Sequence, residues 1–164
     1  LLARLRAALR RRGQVVDASV LEGSALLTAL IHGWRSRGLM GDETGRHMGD
    51  GGRIVNIGSI NAERVPFAGG VLYVLTKAAV SGMTASLARD VGTRGITVNA
   101  LLPGPIGTDM NPATGPFADE LRRGIPLGRY GTVAEIAGFV SYLTRPEAGY
   151  ITGSCLRIDG GFAV

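Results

Sequence analysis

The chain has 164 residues, 45% of them hydrophobic and 19% charged, with 26 glycines and a net charge of +5. This is a globular composition rather than a disordered one, and the length suits one domain with a sizeable core. Residues 1–12 hold five Arg and no acid, while the other 152 residues balance 13 basic against 13 acidic groups, which excludes the broadly basic surface of a dedicated nucleic-acid binder.

Residues 1–12 (LLARLRAALRRR) fit an amphipathic helix with Leu1, Leu5 and Leu9 on one side. An Arg-rich start of this kind also suits a membrane-surface or nucleic-acid tail, but a solvated helix face explains it as well. QVVDASVL (14–21) reads as a strand and SALLTALIHGW (24–34) as a helix, while residues 35–52 are rich in glycine and charge without a period.

From residue 51 the pattern becomes regular. RIVNI (53–57) is a β-branched run between glycines, and so a strand. A loop follows from Ser59 to about Gly70. Residues 71–92 carry Val71, Leu72, Leu75, Ala79, Met83, Leu87 and Val91 at helical spacing, closed by Gly92 and Gly95. ITVNALL (96–102) is the next strand, ended by Pro103-Gly104. Residues 105–116 read as a loop and about 117–124 as a short helix. Thr132 and Glu135 form a capping box for a helix over 134–143, and SCLRID (154–159) is the last strand. Alternation of strand and helix predicts parallel βαβ units in a doubly wound sheet.

One cysteine, Cys155, excludes an internal disulfide and a Cys-rich zinc site. No metal site is expected. No apolar run approaches the roughly 18 residues of a membrane span, and the first segment lacks the uncharged core of a secretory signal. A soluble cytoplasmic protein without membrane or nucleic-acid partners is the expectation.

The chemistry centres on Tyr73-Val-Leu-Thr-Lys77. Residues at i and i+4 share a helix face, and an ammonium beside a phenol favours the phenolate, which makes a Tyr usable as a general acid/base. Alone this spacing is a weak signal, shared by any surface Lys one turn past a half-buried Tyr. Here, however, Lys77 is the only Lys of the chain. Ser59 lies just past the carboxyl end of strand 53–57, where open α/β sheets place ligands, and its hydroxyl suits donation to a carbonyl oxygen. Pro103-Gly104-Pro105-Ile106-Gly107-Thr108 follows the next strand at the same end. It reads equally as an ordinary Pro/Gly turn or as a loop approaching a flat ligand.

Taken together, GRIVNIGS, YVLTKAAV, RGITVNALLPGPIGTDM, PLGRYGT and YITGSCLRIDGGF, in this order over residues 51–164, resemble the C-terminal half of the short-chain dehydrogenases/reductases, most closely the 3-oxoacyl-acyl-carrier-protein reductase-like members. The resemblance implies an α/β, Rossmann-like, doubly wound parallel sheet of which this chain shows the C-terminal half. It also implies an NAD(P)-dependent oxidoreductase of carbonyl or alcohol substrates, with NADP slightly favoured over NAD. Tyr73 would be the acid/base. Lys77 would support Tyr73 and hold the nicotinamide ribose, and Ser59 would polarise the substrate carbonyl. Tyr73, Lys77, Pro103, Gly104, Ile106 and Thr108 would contact the cofactor. A small-molecule substrate and a homo-oligomer, dimer or tetramer, are implied as well.

Residues 1–50 depart from that pattern. The family's T-G-x-x-x-G-x-G turn, its N-N-A-G motif and the further Asn of its catalytic tetrad are absent, the first Asn of the chain being Asn56. The missing half would need on the order of 90–120 residues. Residues 1–50 are therefore set apart as an atypical segment and 51–164 as the catalytic half. Two readings of the chain follow: the catalytic half of an enzyme, or an inactive remnant that serves as an oligomerisation or interaction module. With no glycine-rich turn to cradle a pyrophosphate, this 164-residue chain is expected to bind NAD(P)H weakly. Fluorescence titration should show no saturation in the low micromolar range, and a dissociation constant there would contradict this reading.

Overall fold

The computed structural model describes residues 48–65 and 68–164. The elements expected before residue 48 lie outside the described residues. Three strands and three longer helices make up the rest: β1 (Arg53–Ile57), α1 (Val71–Val91), β2 (Thr97–Pro103), α2 (Pro116–Arg123), α3 (Val133–Leu143) and β3 (Cys155–Ile158). Each matches an element expected from the sequence to within one or two residues. Helix α2 starts one residue early, at Pro116, because a proline costs nothing in the first helical turn. Helix α1 gives way to a 3-10 turn, Gly92–Arg94, and stops at Gly95, whose φ of 67° favours glycine.

The sheet is parallel, in the order β1-β2-β3. Ile57 pairs with Leu101, and Pro103 with Ile158. All seven residues of β2 are buried, as expected of a central strand covered on both faces. Alternation divides them. Val98 joins Ile54 of β1 against Leu87, Ala88 and Val91 of α1. On the other face Leu101 and Val55 pack on Ile136, Ala137, Val140 and Leu143 of α3. Leu102, near the carboxyl end, belongs to a separate cluster with Ile60, Ile125, Tyr130 and Phe162.

Helix α1 corrects one expectation. It is long and apolar enough, by length and composition, to cross a membrane. Its buried residues nevertheless pack on the sheet, and Lys77 and Asp90 lie within it. Five of its 21 residues are buried, all from Val80 onward, and its first turns are exposed.

Helix α3 begins with the capping box that the sequence shows. Thr132 Oγ1 accepts from Glu135 N at 3.2 Å, and Glu135 Oε2 accepts from Thr132 N at 2.8 Å. Arg129 also donates to Glu135, at 2.6 Å. The Arg129 hydrogen bond, with the Thr132 amide behind it, lowers the Glu135 carboxyl from its usual 4.5 to about 2. A carboxylate depressed in the folded state adds stability that is complete above the unfolded value of 4.5 and is lost as the pH falls toward 2. Glu135→Gln keeps the cap but removes the charge. Because the pair is solvent-exposed, the substitution should cost at most about 1 kcal/mol at neutral pH. Urea unfolding across this pH range checks the sign: the gap between the two chains should close as the medium is acidified.

Candidate active site

Strand β1 delivers Ser59. Gly58 extends the ladder by one bond, its N–H donating to Leu101 O at 2.8 Å. A Cβ there would lie 2.7 Å from Leu102 Cδ2, so a larger residue would have to displace the end of the Leu102 side chain. Ser59 then takes an extended conformation and caps a 3-10 turn, Ile60–Ala62, its Oγ accepting from Asn61 N at 3.2 Å. The residue is 7% exposed. Its role as a turn cap and its proposed chemistry are compatible, because accepting from Asn61 leaves the hydroxyl proton free to donate.

Helix α1 delivers the other pair. Tyr73 sits in its first turn, 44% exposed, and Lys77 lies one turn further, half-buried. Lys77 Nζ reaches the carbonyl of Ile57, the last residue of β1, at 3.5 Å, and lies 5.9 Å from the centre of the Tyr73 ring. Burial pushes the Lys77 ammonium below its ordinary value, because the charged form loses water. Helix α1 also packs against the turn that Ser59 caps. Lys77 is thus held at the carboxyl end of β1, on the helix that packs against the Ser59 turn, with Tyr73 one turn before it.

A second tether fixes how α1 lies on β1. Asn56 Nδ2 donates to Thr84 Oγ1 at 2.9 Å, and Thr84, fully buried, donates to Val80 O at 2.8 Å. Neither Asn56 nor Thr84 stands out in the sequence; a polar residue inside an apolar strand is the one signal they give.

The loop after β2 lies along the same edge. The parallel register, with Ile57 opposite Leu101, brings Pro103 to the same end of the sheet as Ser59. Gly104 is constrained from the β3 side: a Cβ there would lie 2.7 Å from Asp159 Cα. The Ile106 side chain is core, 6% exposed and packed with the α3 cluster. Its backbone forms an isolated parallel bridge with Gly131, made by Gly107 N to Gly131 O at 3.0 Å and Gly131 N to Pro105 O at 2.9 Å. That pattern leaves the Ile106 N–H outside the bridge. Thr108 Oγ1 accepts from Asn111 N at 3.1 Å, again leaving a hydroxyl proton to donate. Among the described residues, no hydrogen bond or ring contact joins this loop to Tyr73 or Lys77. The two groups share an edge of the sheet rather than touching. No group of three or more His, Cys, Asp or Glu that could hold a metal occurs among the described residues.

Comparisons with known proteins identify the family of the chain. The sequence model of the family described as enoyl-(acyl carrier protein) reductase matches residues 9–163, a span that reaches back well before residue 51. A short chain dehydrogenase from Burkholderia cenocepacia J2315, solved in complex with NADP, is 34% identical and superposes with a TM-score of 0.75, over 99% of this chain and 73% of its own. The chain belongs to the short-chain dehydrogenase/reductase family. Two curated members of similar sequence are the cyclic-di-GMP-binding biofilm dispersal mediator protein of Escherichia coli, 49% identical over 73% of this chain and 51% of its own length, and the 3-oxoacyl-[acyl-carrier-protein] reductase FabG of Vibrio cholerae, 46% identical over 67% of this chain and 45% of its own. The chain spans about half the length of the curated relatives it matches.

Proposed function

We propose that this chain carries the catalytic half of a cytoplasmic, NADP(H)-dependent carbonyl reductase, with a 3-oxoacyl thioester as its substrate class. The observation that supports the reading is the contact of Lys77 with the carbonyl of Ile57, two residues before Ser59, with Tyr73 one turn before Lys77 on the same helix. NADP is favoured over NAD by the Burkholderia relative in complex with NADP, and the substrate class by the FabG relative.

The donor set fits a nicotinamide nucleoside. Lys77 spends one long contact on Ile57 O and keeps donors for ribose hydroxyls. The Ile106 N–H and the Thr108 hydroxyl are donors suited to a carboxamide, while Pro103 and Gly104 form the backbone floor of that loop. When bound, the cofactor supplies the hydride.

The chain's own residues handle the oxygen. Ser59, its lone pair engaged by Asn61, donates its proton toward the substrate carbonyl and fixes its direction. The Tyr73 hydroxyl gives its proton to the same oxygen as negative charge develops there. The Lys77 ammonium stabilises the phenolate that Tyr73 leaves behind, at low cost because it is already partly dehydrated by burial. In oxidation the same groups work in reverse.

A homo-oligomer belongs to this reading. The first turns of α1 expose Val71, Leu72 and Leu75, an apolar face suited to a second copy.

The test is Tyr73→Phe. With NADPH in excess and acetoacetyl-coenzyme A as substrate, the variant should lose about a hundred-fold or more of kcat, the range expected for a general acid, with its melting temperature unchanged. Turnover that survives the substitution would remove Tyr73 from the mechanism.

A further inference from the structure

We propose that Arg64 and Phe162 form a clasp that positions Ser59, with Arg64 acting as a positioning residue; the proposal rests on the reading of Ser59 given above. The segment after Ser59 is a tight unit, since the amides of Glu63 and Arg64 both donate to Ile60 O, at 2.9 and 3.0 Å. Displacing Arg64 therefore drags the turn that Ser59 caps. Ile60 itself is 2% exposed and packs in the cluster that holds Phe162.

Arg64 is held by one residue in two ways. Its guanidinium donates to the Phe162 carbonyl, and it also lies 4.3 Å above the centre of the Phe162 ring. Phe162 is in turn immobilised. Its side chain is 4% exposed, and the Asp159 carboxylate accepts from Gly161 N and Ala163 N at 2.9 Å each, fixing the backbone on both sides of it. A parallel contact, Arg157 Nε to Glu63 Oε2 at 2.6 Å, ties the same loop to β3. That pair is solvent-exposed, and exposed ion pairs contribute little. The Arg64 contact combines a hydrogen bond to a carbonyl with a cation over a buried ring, and is the stronger restraint. The hydroxyl that faces the substrate is thus held from behind by a residue 98 positions beyond Arg64.

The experiment compares Arg64→Met and Arg64→Lys with the parent chain. Amide hydrogen exchange should accelerate over residues 59–64 in Arg64→Met, while β1 and β2 keep their protection. With NADPH and acetoacetyl-coenzyme A, Arg64→Met should lower kcat about ten-fold with KM little changed, and should add almost nothing in a Ser59→Ala background, as expected of groups that act as a unit. Arg64→Lys, which retains a cation and donors, should restore most of the loss. An equal loss in the Ser59→Ala background, loosening spread through β1 and β2, or no change in exchange would each overturn the proposal. If the parent chain turns over no substrate, the proposed function fails, and exchange at residues 59–64 alone decides the clasp.

Discussion

The burial of β2 on both faces is the constraint on which the remaining architecture depends. Seven consecutive buried residues need a hydrogen-bonded neighbour on each edge and an apolar layer on each side. Strands β1 and β3 supply the edges, and α1 and α3 the layers. Parallel pairing then sends all three chain exits to one end of the sheet. Ser59, Pro103 and Asp159 emerge there together because the register leaves them no other place. The candidate site is a consequence of how a doubly buried strand is satisfied.

Polar contacts adjust what the apolar layers leave free. Packing of Leu87, Ala88 and Val91 anchors the far end of α1, but a helix so held can still pivot at its other end. Asn56 to Thr84, past the middle of the helix, and Lys77 to Ile57, nearer the site, restrict that freedom. Buried polar groups are costly unless paired, so each tether also penalises alternative positions of the helix. Beyond Lys77 the first turns carry no such burden, and there Val71 and Leu72 face outward.

Most of this was legible in the sequence, for identifiable reasons. Strand and helix periods are local, and Gly58, Gly92 and Pro103 punctuate them. The capping box at Thr132 is a four-residue signal and is found as read. Tyr73 and Lys77 share a helix face by arithmetic alone. Contacts between distant segments left no such trace. Asn56 with Thr84, and Arg64 with Phe162, depend on strand order and on a turn held by Asp159, neither of which a local pattern encodes. The sequence shows Gly104 only as part of a Pro/Gly segment, whereas the constraint on it comes from Asp159 at the neighbouring strand exit. The helical stripe of α1 shows its sheet-facing side but not the apolar character summed along its length.

The central claim is that the groups gathered at this edge direct hydride transfer to a carbonyl. It is tested most directly by following the hydride. NADPH deuterated at the nicotinamide carbon that donates it, incubated with the chain and acetoacetyl-coenzyme A, should place one deuterium on the carbinol carbon of each 3-hydroxyacyl product, as read by mass spectrometry. Product without that label, or no product at saturating cofactor, would contradict the account.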